Sequence, residues 1–139
     1  MTQVDFYILE ESAPRSRALF ACRLAEKAFT LGHRVFVHTP GEGAARELDE
    51  LMWTFRDCSF LPHVLAGSGE EAPVHIGKGQ EPTDGFHLLI NLGAEVPAFA
   101  GRFERVAEVV DGDAEQKARG RERFRFYKDR GYPLETHKL

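Results

Sequence analysis

The chain has 139 residues, 42% of them hydrophobic and 29% charged, which suits one globular domain with a single core. Eighteen basic against 22 acidic side chains give a net charge of −4, which argues against bulk binding to nucleic acid. No apolar run reaches the roughly 20 residues that span a bilayer.

Two cysteines, Cys22 and Cys58, suit a reducing compartment, and the six histidines show no metal-ligand spacing. The start, Met1-Thr-Gln-Val-Asp-Phe, lacks the basic and apolar stretches of a signal peptide, so the cytoplasm is expected. Val4-Asp-Phe-Tyr-Ile-Leu9 reads as a central strand, followed by a loop from Glu10 to Pro14. Ser16 is placed to cap a helix that runs to about Leu31, with Leu19, Phe20, Leu24, Ala28 and Leu31 on one stripe. Gly32 stands where a helix C-cap is expected. Arg34 to Thr39 is a second strand, and Gly43 to Trp53 a second helix. Val74–Ile76, Leu88–Asn91 and Val106–Val110 read as further strands. Alternating elements predict an α/β layer fold over residues 1–139, with a mostly parallel central sheet flanked by helices. The segments Gly67 to Pro73 and Gly77 to Gly85 read as surface loops.

Such a topology raises the question of a nucleotide site, and the glycine patterns argue against one. The first strand leads into Glu-Glu-Ser-Ala-Pro-Arg, with no glycine to admit a pyrophosphate. Gly67-Ser-Gly-Glu-Glu-Ala72 matches a dinucleotide pattern by letter only, because two glutamates repel phosphate and a strand follows. Gly41-Glu-Gly-Ala-Ala-Arg46 joins a strand to a helix but lacks the third glycine. Cys58 and Ser59 lie near His63 without an elbow or triad setting. These features predict a chain that is not an enzyme, with no cofactor and no metal.

The charge pattern reverses near the C-terminus. From Lys117 to Arg130 there are seven basic residues against two acids. At about 100° per residue, Lys117, Arg121, Phe124, Arg125 and Lys128 fall on one helix face. A ring among four cations suits a ligand both acidic and apolar, such as a peptide ending in carboxylates and an aromatic residue. The competing reading makes Phe124 a core anchor with snorkelling neighbours. A second cluster, Trp53, Phe55, Phe60, Leu61 and Pro62, falls where the second helix gives way to a loop. It is read either as a partner surface or as cover for the end of the sheet.

Together these segments resemble the chi subunit of bacterial DNA polymerase III. The resemblance is carried by Asp5-Phe-Tyr-Ile-Leu, Leu48-Asp-Glu-Leu-Met-Trp53, Ser59-Phe-Leu-Pro-His-Val-Leu-Ala-Gly67 and Ala72-Pro-Val-His-Ile76. Glu108-Val-Val-Asp111 and Arg121-Glu-Arg-Phe-Arg-Phe-Tyr-Lys-Asp-Arg-Gly131 complete it over nearly the whole length. It implies a non-catalytic adaptor that ties the clamp loader to single-stranded DNA-binding protein by gripping that protein's acidic C-terminal tail. The tail site then falls on Lys117, Arg121, Phe124 and Arg125. An interface with the psi subunit, or an equivalent clamp-loader component, falls on Trp53, Phe60, Leu61 and Pro62. The family often carries tyrosine at Phe124, so the ring is kept and a hydroxyl donor lost. The segment between Asp111 and Lys117 is shorter than in some relatives, which leaves the second wall of the site unassigned. The alternative reading is a module that binds single-stranded nucleic acid directly through Arg123-Phe-Arg-Phe-Tyr127.

Overall fold

A computed structural model describes residues 2–55 and 61–139 of the chain. In order, the elements are β1 (Gln3–Ile8), α1 (Ser16–Thr30), β2 (Val35–His38), α2 (Glu42–Thr54), β3 (His63–Leu65) and β4 (Val74–Gly77). Then come β5 (Leu88–Asn91), a short 3-10 turn (Ala100–Arg102), β6 (Arg105–Val110), α3 (Ala114–Asp129) and β7 (Leu134–Lys138). The strands form one seven-stranded sheet in the order β3-β4-β2-β5-β6-β1-β7, parallel at every pairing. The expected α/β architecture is found. None of the described helices is long and apolar enough to cross a membrane.

A sheet covered on both faces needs apolar residues at consecutive strand positions, and the inner strands supply them. Val35, Val37, Val74, Ile76, Ile90 and Val109 face α1 and α2. Phe6, Phe36, Leu89, Val106 and Val110 belong to the opposite layer, which α3 helps to cover. The buried stripe of α1 is Ala21, Cys22, Ala25 and Ala28, whose small side chains let the helix approach the sheet closely. Leu31, predicted on that stripe, lies just past the helix end and is 65% exposed. Ser16, predicted as a cap, is instead the first helical residue. Its hydroxyl donates to the Ala13 carbonyl, and Arg15 holds the cap position. Gly32 adopts φ 81°, the left-handed conformation that closes the helix.

Two strands were not predicted. β3 has three residues inside the aromatic-rich segment read as a loop. β7, Leu-Glu-Thr-His-Lys, is a polar edge strand, and such composition protects an open edge from pairing with other chains.

The buried residues of α3 are Gly120, Arg123 and Tyr127, so this helix docks through polar and aromatic contacts together. Arg123 and Tyr127 meet Glu108 of β6, which is fully buried. Arg123 Nε donates to Glu108 Oε1 at 2.7 Å, and the Tyr127 hydroxyl donates to Oε2 at 2.7 Å. Asn91 Nδ2 donates to the same carboxylate from β5, at 2.9 Å to Oε2. Burial pushes the Glu108 carboxyl up, while the Arg123 charge and these donors pull it down. Burial and the neighbouring Glu108 also push the Tyr127 phenol up. Each donor is thus matched to a carboxylate that has no water to fall back on. Removing the hydroxyl with Tyr127→Phe is expected to cost about 1.5–3 kcal/mol in urea unfolding. Arg123→Met, which leaves the acid without its cation, is expected to cost about 3–5 kcal/mol.

Candidate functional site

Asp113 starts α3, its carboxylate accepting from the backbone N–H groups of Glu115 and Gln116 at 3.1 and 3.2 Å. With the inward face turned to Glu108, the helical period puts Lys117, Arg121, Arg125 and Lys128 in solvent. Gly120 permits close contact with β6, since a Cβ there would lie 2.8 Å from a Val110 methyl. Phe124 is half-buried and packs edge-on to Phe6, with ring centroids 5.3 Å apart.

Between α3 and the edge of the sheet lies a groove of about 450 Å³. Lys117, Gly120, Arg121 and Phe124 line it from the helix, and Phe6, Ile8 and Val110 supply its apolar part. The remaining lining residues are Thr136 and Lys138 of β7, which pair in register with Phe6 and Ile8. Three lysine or arginine side chains line the groove, and none of its lining residues is acidic. A second hollow continues along the helix over Arg121, Phe124, Arg125 and Lys128, with Asp129 at its rim.

All five residues predicted on this face, Lys117, Arg121, Phe124, Arg125 and Lys128, therefore line one continuous track. The Phe124 ring packs on the core, as the core-anchor reading expects, and also lines the groove. Sequence reasoning missed Thr136 and Lys138, since β7 was not recognised. The alternation of Val4, Phe6 and Ile8 carried the signal for the apolar part.

The second predicted cluster divides. Trp53 is 51% exposed at the end of α2, with its ring centroid 4.4 Å from that of His63. Pro62 is half-buried. Leu61 is 1% exposed within the core shared by α1 and α2, so it offers no surface to a partner. Phe60 lies outside the described residues, as do Cys58 and Ser59.

At the carboxyl ends of the strands, where parallel α/β folds place ligands, a cleft of about 370 Å³ is rimmed by Glu47, Asp111 and Asp113. Arg17 lines it too, but its guanidinium is spent on the carbonyls of Val109 and Leu92 at 3.1 and 3.0 Å. The loop after β1 lies against the loop before α3. A Cβ on Gly112 would stand 2.4 Å from the Glu10 carbonyl oxygen, and Gly112 N–H donates to Glu11 O. Three carboxylates in the lining of the cleft disfavour a phosphate there, although Arg15 lines it as well. The His63 ring is buried, with Nδ1 2.6 Å from the Leu61 carbonyl oxygen and Nε2 3.1 Å from that of Asp49. Burial pushes the Cys22 thiol up to about 12, which suppresses the reactive thiolate. Asp5, Glu135 and His137 bring ligand atoms within 4.8 Å of one another. Arg105, 3.0 Å from Asp5, already supplies the positive charge there.

The chain as a whole is similar to known proteins. A family profile, DNA polymerase III chi subunit, HolC, matches residues 1–135. The DNA polymerase III subunit chi of Pseudomonas aeruginosa is 45% identical over 139 residues, covering 100% of this chain and 98% of that one. The subunits of Haemophilus influenzae and Escherichia coli are each 31% identical, covering 97% and 98% of this chain and 96% and 97% of their own lengths. Among solved structures, T4 UvsW superposes with a TM-score of 0.71 over 99% of this chain at 9% identity. The chain spans 41% of that structure, and the likeness is one of fold.

The close approach at Gly120 gives a direct test of how the groove is held. Gly120→Ala forces a methyl against buried, stiff Val110. It is expected to lower stability by about 1–3 kcal/mol in urea unfolding.

Proposed function

The chain belongs to the DNA polymerase III chi subunit family, and from that premise we propose that it is a non-catalytic adaptor gripping the acidic C-terminal tail of single-stranded DNA-binding protein. The observation that carries this reading is the groove between α3 and β7, apolar within and lined by Lys117, Arg121 and Lys138 without a carboxylate. An acidic tail is drawn in by screened Coulomb attraction over roughly one Debye length, about 8–10 Å at physiological salt. Its terminal aromatic residue buries against Phe6, Ile8 and Phe124, and its carboxylates meet the cations. Ordering a short peptide offsets much of this, so an affinity around micromolar, roughly −8 kcal/mol, is expected. A partner offering several identical tails raises the effective affinity with no new contact.

The second attachment, to the psi subunit or an equivalent clamp-loader component, falls on the exposed ring of Trp53 and on Pro62, across the chain from the groove residues in sequence. An exposed tryptophan is a common anchor of such interfaces. Two separate attachments are what an adaptor requires.

Fluorescence polarisation with a labelled acidic peptide ending in Asp-Ile-Pro-Phe tests the tail reading. Micromolar binding that weakens with salt, and a loss of about 1.5–3 kcal/mol in Arg121→Ala, are expected. Absence of binding at low salt by a folded chain would refute it, and a mobility shift of bare single-stranded DNA at physiological salt would favour direct binding instead. Trp53→Ala is expected to leave peptide affinity unchanged while weakening capture of the clamp-loader partner.

A further inference from the structure

The face of β1 and β7 turned away from the groove carries a different chemistry. In the parallel register Asp5 stands beside Glu135, and Tyr7 beside His137. Side chains alternate along a strand, so these four share one face of the sheet edge, while Phe6, Ile8, Thr136 and Lys138 take the other. Two carboxylates directly opposite on neighbouring strands repel one another. Asp5 is buried, so water screens its charge poorly. Arg105 of β6 answers only part of this, binding Asp5 Oδ2 at 3.0 Å. Asp5 Oδ1 is left facing His137 Nε2 at 3.1 Å, and Glu135 Oε2 lies 3.8 Å from the same nitrogen.

These three ligand atoms lie within 4.8 Å of one another. Around a tetrahedral zinc ion with bonds of about 2.0–2.2 Å, ligand atoms stand about 3.3–3.6 Å apart. The separations of 3.1 and 3.8 Å bracket that spacing. Two of the ligands are already oriented. Tyr7 stacks on the His137 ring with centroids 4.8 Å apart at 16°, and Arg105 holds the Asp5 carboxylate by its far oxygen. Glu135 is exposed, so closing its separation takes only a side-chain rotation.

We propose that Asp5, Glu135 and His137 form a zinc-class metal site joining β1 to β7, with Asp5 Oδ1, Glu135 Oε2 and His137 Nε2 as ligands and water in the remaining position. The ion replaces the hydrogen bond between Nε2 and Oδ1, and it neutralises the carboxylate that Arg105 does not bind. One nitrogen and two oxygens suit a borderline ion, whereas magnesium and calcium call for more oxygen ligands. β7 buries little of its own surface, since its side chains are half-buried or exposed. A cross-strand ion therefore adds a tie where the sheet is open. Spacing in the sequence could not disclose the site, because its ligands come from opposite ends of the chain.

Calorimetric titration of zinc chloride into the full, tag-free chain, with NMR of the histidine ring signals, tests this assignment. One zinc ion per chain is expected, with ring shifts confined to His137 among the six histidines. His137→Gln and Glu135→Gln change side chains that are not buried, so both variants are expected to fold. Each is expected to weaken binding by more than about tenfold, since even the partner of a ligand contributes that much. His33→Gln, at the other close pair of histidines, is expected to bind zinc as the unchanged chain does. Zinc is also expected to slow hydrogen exchange at the β7 amides of the full chain but not of His137→Gln. No zinc binding by the folded chain, or full affinity in both ligand variants, would overturn the proposal. So would a loss that follows His33→Gln, or displacement of zinc by an equal concentration of magnesium.

Discussion

The arrangement depends on one buried carboxylate. Glu108 stands in the middle of a parallel sheet, beyond reach of water, where an uncompensated charge costs several kcal/mol. Arg123 and Tyr127, one helical turn apart on α3, compensate it together with Asn91. The same contacts fix the rotation of α3, because turning the helix would break bonds that nothing else can replace. That rotation then decides which residues face outward. Lys117, Arg121, Phe124, Arg125 and Lys128 follow as a consequence of where Arg123 and Tyr127 must point. A helix with few aliphatic residues is thereby held in place, and its outer face is left free to be cationic.

The groove arises from a mismatch between helix and sheet. Gly120 brings α3 down onto Val110, so the helix rests over β6, while β1 and β7 extend past it on the same face. Phe6 and Ile8 keep an apolar surface there, and β7 adds Thr136 and Lys138 beside it. The cleft at the strand ends is lined by Glu47, Asp111 and Asp113 together with Arg15 and Arg17, and the Arg17 guanidinium donates to main-chain carbonyls.

Much of this was legible in the sequence, for physical reasons that differ by element. The inner strands were readable because burial on both faces demands runs such as Leu88-Leu-Ile and Val106-Ala-Glu-Val-Val. The basic face of α3 was readable because 3.6-residue periodicity needs no tertiary information. β7 was not, since an edge strand is selected for polarity and its five residues lack apolar alternation. Hence one wall of the candidate site stayed invisible. Leu61 misled because composition alone cannot separate an aromatic partner surface from the cover of a core, and here the leucine is interior while Trp53 is not. Glu108 was also hidden, since a glutamate within an apolar strand reveals its role only when Arg123 and Tyr127 are placed against it.

The central claim is that one face of the molecule, between α3 and β7, receives an acidic peptide. Mapping backbone amide shifts by NMR while titrating such a peptide into the full chain tests it most directly. Shifts concentrated at Lys117, Arg121, Phe124, Thr136 and Lys138 are expected, with the amides around Trp53 and Pro62 unmoved. Shifts centred on Trp53, or on the cleft beside Arg17 and Asp111, would contradict it.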